Sequence, residues 1–277
     1  MIPDLWFLYL LLLLGAGAVA GFLAGLLGIG GGMVLGPVLD SCFAAMGIPV
    51  SERVHLAVGT SMACIVPTAL VSARRNHQRG AVEQGVALRW GPACALGAIL
   101  GSLIAIHLDG RWLAATFGVL AILAGLHGLW SRGRNVEPAP SHGRPDPVSW
   151  PWWPVPLGIG GVSAMMGIGG GTFSVPVLRA FGFRVHQAVG TSAWLGAWIA
   201  LPSTLGYLLA SGTGAQAWGY RLGHVDLLAL AVLVPATVWT VPLGVGTAHR
   251  WSQRKLGLAF GLFLLLAGGR MLQRAFG

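Results

Sequence analysis

The feature that most limits what this chain can fold into is the recurrence of its two densest motifs, in the same order, in both halves. Gly28-Ile-Gly-Gly-Gly32 followed by Pro37 returns as Gly167-Ile-Gly-Gly-Gly171 followed by Pro176. His55-Leu-Ala-Val-Gly-Thr-Ser61 returns as His186-Gln-Ala-Val-Gly-Thr-Ser192. Farther along, Gly80-x-Val82 matches Gly223-x-Val225, Pro92 matches Pro235, Gly101 matches Gly244, and Phe117-Gly118 matches Phe260-Gly261. Self-similarity of this length implies one structural unit built twice. Residues 1–131 form the first copy and 151–277 the second. The polar, Pro-rich stretch 132–150 between them reads as a flexible linker.

Each copy is too apolar to close on itself in water. Charged residues make up 9% of the chain, against about 25% in a soluble domain. The 44 glycines lie inside apolar runs rather than polar tracts, which excludes disorder and a collagen-like repeat. A net charge of +9 raises the question of nucleic acid, yet the basic residues occupy short loops between apolar segments and form no continuous face. Cys42, Cys64 and Cys94 are far apart in apolar surroundings, so neither a disulfide framework nor a zinc site is expected. The apolar run from Leu5 lacks the basic start of a secretory signal and is read as mature structure. An integral membrane protein remains.

The apolar segments fall near 5–28, 33–47, 56–73, 86–107 and 112–130 in the first copy, and near 155–167, 172–182, 187–210, 225–248 and 255–273 in the second. A spanning helix needs about 20 apolar residues. The second segment of each copy is shorter, so a first arm, a glycine break and a short return arm describe a helical hairpin, followed by three transmembrane helices. Basic residues favour the cytoplasmic side. Placing the Arg74, Arg75 and Arg79 loop there puts twelve of the 17 Lys and Arg residues inside and five outside. The same alternation opens one hairpin to each side of the membrane. The expected fold is an all-α integral membrane protein, an inverted repeat of two halves, with both termini outside. Trp6, Trp90, Trp112, Trp130, Trp150, Trp152, Trp153 and Trp251 mark segment ends as interfacial anchors.

The candidate site residues lie in the repeated motifs. At Gly30, Gly31, Gly32 and Gly169, Gly170, Gly171 the backbone N–H groups carry no side chain in front of them. The arm that follows each cluster starts at the electropositive end of a helix, an arrangement suited to an anion. Close helix packing is the other use of such glycines. Thr60, Ser61, Thr191 and Ser192 supply hydroxyls that can donate to a substrate oxygen, or bond back to their own helix. His55 and His186 could gate or sense protons; an interfacial hydrogen bond is the plainer role. Asp40 and Arg179, at equivalent positions in the short arms, read as snorkelling side chains. The carboxylates sit in loops or near segment ends, so no acid–base pair, nucleophilic triad, metal site or cofactor is expected.

Gly-Leu-Leu-Gly-Ile-Gly-Gly-Gly (Gly25 to Gly32) with Pro37, then Ala-Val-Gly-Thr-Ser, all doubled, resembles the sulfite exporter TauE/SafE family of membrane permeases. The resemblance covers nearly the whole chain except the linker. It implies an eight-helix carrier of the inner membrane, two helical hairpins included, that moves small sulfur-containing anions such as sulfite, sulfoacetate or other organosulfonates outward. The implied partners are that anion and the lipid bilayer, with a homodimer left open. Met165-Met166 stands where the first copy has Leu26-Leu27, so the halves are not chemically equal. An anion channel, or a carrier of another small organic anion, is the competing reading.

Overall fold

A computed structural model describes residues 2–27, 32–130, 152–210, 214–216, 219–248 and 253–276. Gly28 to Gly31, with the candidate residues Gly30 and Gly31, and the linker 132–150 lie outside the described residues. The first copy gives α1 (Ile2–Leu27), α2 (Gly32–Ala45), α3 (Val50–Gln78), α4 (Gln84–His107) and α5 (Gly110–Trp130). The second gives α6 (Pro154–Met166), α7 (Gly171–Ala180), α8 (Val185–Leu209), α9 (Leu227–Ala248) and α10 (Gln253–Phe276). Each helix covers one apolar segment read from the sequence. At 1.5 Å per residue, α2 and α7 are about 21 Å and 15 Å long, short of the roughly 30 Å hydrocarbon core. Four stretches, in α1, α3, α4 and α9, are long and apolar enough to cross a membrane. Prolines stand inside α2, α3, α4, α7, α8 and α9, as membrane helices tolerate better than soluble ones. Large apolar side chains face outward, up to Trp239 at 82% and Leu209 at 85% exposure. A surface of this kind is built for lipid.

The halves interlock rather than stand side by side. α1 packs on α9, and its counterpart α6 packs on α4; α3 packs on α8 and α5 on α10. Glycines set the close approaches. A Cβ on Gly244 would strike the Phe22 carbonyl, and a Cβ on the equivalent Gly101 would strike the Gly161 carbonyl. These helices therefore touch backbone to backbone, the small-residue packing expected where no hydrophobic driving force separates helix from lipid.

Matched hydrogen bonds close the crossing. The Thr60 hydroxyl accepts from the Asp226 backbone N–H at 2.9 Å, and the Thr191 hydroxyl accepts from the Glu83 N–H at 3.0 Å. His224 N–H donates to Tyr207 O at 2.8 Å, as Ala81 N–H donates to Asn76 O at 3.0 Å. The start of α3 thus lies beside the end of α8, and the start of α8 beside the end of α3.

One departure from the sequence reading is a small antiparallel sheet of β1 (Gly214–Gln216), β2 (Gly219–Leu222) and β3 (Val225–Asp226), between α8 and α9. Arg221 pairs with both Gly214 and Asp226. Gly223, at φ +57°, makes the tight β2–β3 turn. The equivalent α3–α4 connection turns at Gly80 (φ +66°) and contains no strand.

Candidate functional site

The second hairpin ends its first arm with glycine chemistry. Gly167 takes the left-handed conformation (φ +67°), its N–H bonds to Ala164 O, and the Ile168 N–H bonds to Ser163 O. This closes α6 in the manner of a Schellman turn. The chain passes Ile168 and Gly169 and starts α7 from Gly170, where no side chain caps the helix. The first-turn N–H groups of α7 have no partner within the helix.

This break meets the first hairpin at the middle of α3. Ser61 donates to Gly167 O at 2.8 Å and to Gly32 O at 3.3 Å, so one hydroxyl touches both glycine clusters. A Cβ on Gly32 would strike the Gly167 carbonyl, and a Cβ on Gly167 would lie 3.0 Å from the Val58 Cα. Thr172, in the first turn of α7, donates to the Met33 sulfur at 3.4 Å. Met33, Val58, Met166, Ile168 and Phe117 belong to one apolar cluster around this junction. The two α-helix starts therefore converge in a water-poor setting, where N–H dipoles act on an anion most strongly.

Of the candidate residues, Gly32 and Ser61 are brought together, against Gly167 at the end of α6, while Gly170 faces Ile199 and Gly196 of α8. Thr60 and Thr191 point instead to the inter-half junctions. Ser192 donates to Val189 O at 2.9 Å within its own helix. The two histidines differ. His186 is exposed, whereas His55 is buried with Nδ1 2.9 Å from Ser51 O and Nε2 3.0 Å from Ala105 O. A neutral imidazole can donate to only one of these two carbonyls.

The reading of Asp40 as a snorkelling side chain is corrected. Asp40 is 1% exposed and accepts from Arg53 Nε at 2.9 Å, with Arg53 itself 13% exposed. A carboxylate buried to this degree persists because the guanidinium is buried with it. Asp226 and His224, which no repeated motif marks in the sequence, also belong to this end of the bundle. Asp226 is buried and accepts from the Ala229 N–H at 2.8 Å, capping the start of α9, and burial raises its pKa. His224 lies 5.3 Å from His55, ring to ring, and its pKa is lowered by burial, then by His55 and Arg221, against a raising effect of Glu52. The signal for both was the change of repeat offset between Ser192 and Gly223, which marks an insertion there.

The bundle's two ends differ in charge. At the end where α3 starts, Asp40 pairs with Arg53 and Glu52 with Arg221. At the other end lie Arg74, Arg75, Arg79, Arg179 and Arg184, with Glu83 among them. Arg179 and Arg184 are the counterparts of Asp40 and Arg53, so a closed ion pair at one end becomes two cations at the other.

Comparison with known proteins decides the family. The description "Sulfite exporter TauE/SafE" matches residues 13–271. The chain belongs to the sulfite exporter TauE/SafE family. A "Probable membrane transporter protein" of Haemophilus influenzae is 30% identical over 270 residues, covering 96% of this chain and 98% of the relative. A "Probable membrane transporter protein" of Methanocaldococcus jannaschii is 29% identical, covering 96% and 100%. One of Bacillus subtilis is 24% identical, covering 92% and 94%. No solved structure matches. This TauE/SafE member is thus a multi-pass membrane protein of transporter type.

Proposed function

We propose that this chain is a secondary transporter that exports small sulfur-containing anions, sulfite, sulfoacetate or related organosulfonates, across a bacterial-type inner membrane by alternating access. The observation that carries the reading is the junction at Ser61, where two broken hairpins from opposite halves meet midway along α3. Broken helices that meet at the interface of two repeats are where secondary transporters bind their substrates. In this reading residues 1–131 and 151–277 are inverted copies joined by the cytoplasmic linker 132–150, and both termini face outside. The end-to-start relation of α3 and α8 supports the inversion.

The anion sits against the N–H groups of Gly30 to Gly32 and Gly169 to Gly171, with Ser61 and Ser192 as hydroxyl donors once their bonds to Gly167 O and Val189 O part, and with Thr60 and Thr191 holding the connections on either side. Rocking of one half against the other would part the Ser61 contacts and open one end at a time. The arginine-rich end is cytoplasmic by the positive-inside rule and draws anions toward the junction. With the cytoplasm negative, about 2.3 kcal/mol per charge per 100 mV favours their exit. His55, buried at the opposite end, and His186 are the candidate gating or proton-sensing residues.

The test is flux of sulfite, sulfoacetate, taurine, sulfate and acetate in vesicles containing the purified protein, with membrane potential and pH gradient varied separately. Saturable flux selective for the sulfur anions is expected. Gly170→Ala sharpens it, because the added Cβ meets only the Ile199 Cδ1 end closely, at 2.5 Å, and a side-chain tip can yield. The variant should fold and lose substrate affinity by about tenfold or more. Unchanged affinity would remove the glycine turn from the site, and non-saturating flux would make the protein a channel.

A further inference from the structure

The two return arms are alike in being short, proline-containing helices and unlike in side chains. At the start of the return arm the first copy has Met33 and Leu35, and the second has Thr172 and Ser174 at the equivalent positions. Leu35 is fully buried among apolar neighbours. Ser174 is equally buried, at 0% exposure, and its hydroxyl has no hydrogen-bond partner among the described residues. It lies in the first turn of α7, and a helical side chain leans over the turn before its own Cα. Its Oγ is 3.5 Å from the point a Cβ on Gly170 would occupy, and the Gly196 backbone nitrogen is 3.8 Å from the same point. The helix start beneath it is uncapped. A buried hydroxyl left unpaired is costly unless something arrives to use it.

We propose that Ser174 is a substrate-binding residue: its hydroxyl, above the open N-terminus of α7 beside Gly170, donates a hydrogen bond to an oxygen of a small oxyanion. The seat is therefore lopsided, with the oxyanion held against the second hairpin and the first hairpin reaching it with the apolar Met33, which touches Thr172. A ligand with an unprotonated, outward-facing oxygen, such as a sulfite or a sulfonate head, fits this arrangement. A halide can accept the same hydroxyl bond, but as a single sphere it has no second oxygen to place on the N–H groups of the helix start. This deepens the proposed transport reading and rests on it for the place of binding, though not for the sulfur selectivity.

The experiment is thermal unfolding of the purified full chain in detergent, with and without sulfite, sulfoacetate, sulfate, phosphate or chloride, for the wild type, Ser174→Ala and Ser174→Cys. In the wild type at least one oxyanion should raise the unfolding temperature more than chloride does. Ser174→Ala should unfold at the same or a higher temperature without ligand, because an unpaired buried hydroxyl has gone, yet bind the stabilising oxyanion about tenfold more weakly. Ser174→Cys should fall between. A wild-type oxyanion response in Ser174→Ala would overturn the proposal, as would a lower ligand-free unfolding temperature, which would show a structural bond. No oxyanion response in the wild type would overturn it together with the seat. A response to oxyanions without preference for sulfur, lost in Ser174→Ala, would uphold Ser174 and reject the sulfur assignment alone.

Discussion

The first hairpin and the second are built to one plan, yet they have divided their chemistry. In α1 and α2 the buried positions 24, 33 and 35 hold Ala24, Met33 and Leu35, and the arm ends near the buried Asp40–Arg53 pair. Around α6 and α7 the same positions hold Ser163, Thr172 and Ser174, and the arm ends in Arg179, with Arg184 beyond it. The first hairpin spends its charge on closing its own end. The second leaves hydroxyls at the junction and cations at the mouth. The helix approaches that recur in both copies depend on glycine and on helix-to-helix distance, whereas the side chains around them differ between the copies.

The largest effect expected from breaking this contrast is at the closed end. Asp40→Asn leaves Arg53 buried against a neutral amide, and losing one member of a buried pair costs about 3 kcal/mol. Glu52→Gln, in a pair whose carboxylate is 54% exposed, should cost no more than about 0.5 kcal/mol. Arg179→Gln, at the counterpart of Asp40, should leave stability unchanged and slow anion flux most at low salt, where the field of the mouth is least screened. Unfolding curves in detergent check the first two and flux at varied ionic strength checks the third. An equal loss of stability in Asp40→Asn and Arg179→Gln would abolish the contrast between the ends.

The ten helices were legible in the sequence because apolar runs broken by glycine leave the backbone no alternative inside a membrane. The crossing of the halves was not, since pairing α1 with α9 requires knowing which glycines face which carbonyls. At the site, the sequence pointed to Gly32, Ser61 and Gly169 to Gly171 through their repetition. Ser174 escaped for the complementary reason: it is where the copies differ, and a search for repeated residues passes over it. Asp40 was misread because a carboxylate near a helix end has two low-cost solutions, water or a cation, and the cation, Arg53, lies 13 positions away on another helix. The sheet before α9 left only a shift of repeat offset as its trace.

The matched threonines offer a test of intermediate size. Thr60→Val removes the acceptor of a fully buried backbone N–H, that of Asp226, and should cost about 1–2 kcal/mol. Thr191→Val removes the acceptor of the Glu83 N–H, a part-buried bond, so its cost should be smaller, nearer about 1 kcal/mol. Loss of thermal stability with substrate affinity retained places both hydroxyls in the scaffold between the halves. A rise in KM with no loss of stability would return them to the anion.

The smallest effect expected is a pH dependence confined to the strand-bearing connection, because its equivalent between α3 and α4 contains no histidine between Arg79 and Glu83. His224 has its pKa lowered by burial and by the neighbouring His55 and Arg221, so the folded protein holds it neutral. As pH falls below about 6.5, the ordinary histidine value, the unfolded chain takes up a proton that the folded chain refuses. Stability contributed at neutral pH is therefore lost through that window, and the loss levels off once the lowered folded value is passed. Asp226 acts in the opposite sense. Burial raises its pKa, so the folded chain takes up a proton before the unfolded one does, and acidification relieves a penalty present at neutral pH. Unfolding temperature measured from pH 8 to pH 4 should fall near pH 6 and then recover part of the loss. His224→Asn should remove the fall and keep the later gain, since Asp226 still caps α9. A fall that persists in His224→Asn would assign the acid sensitivity to a group outside this connection, and with it the last functional difference between the two loops.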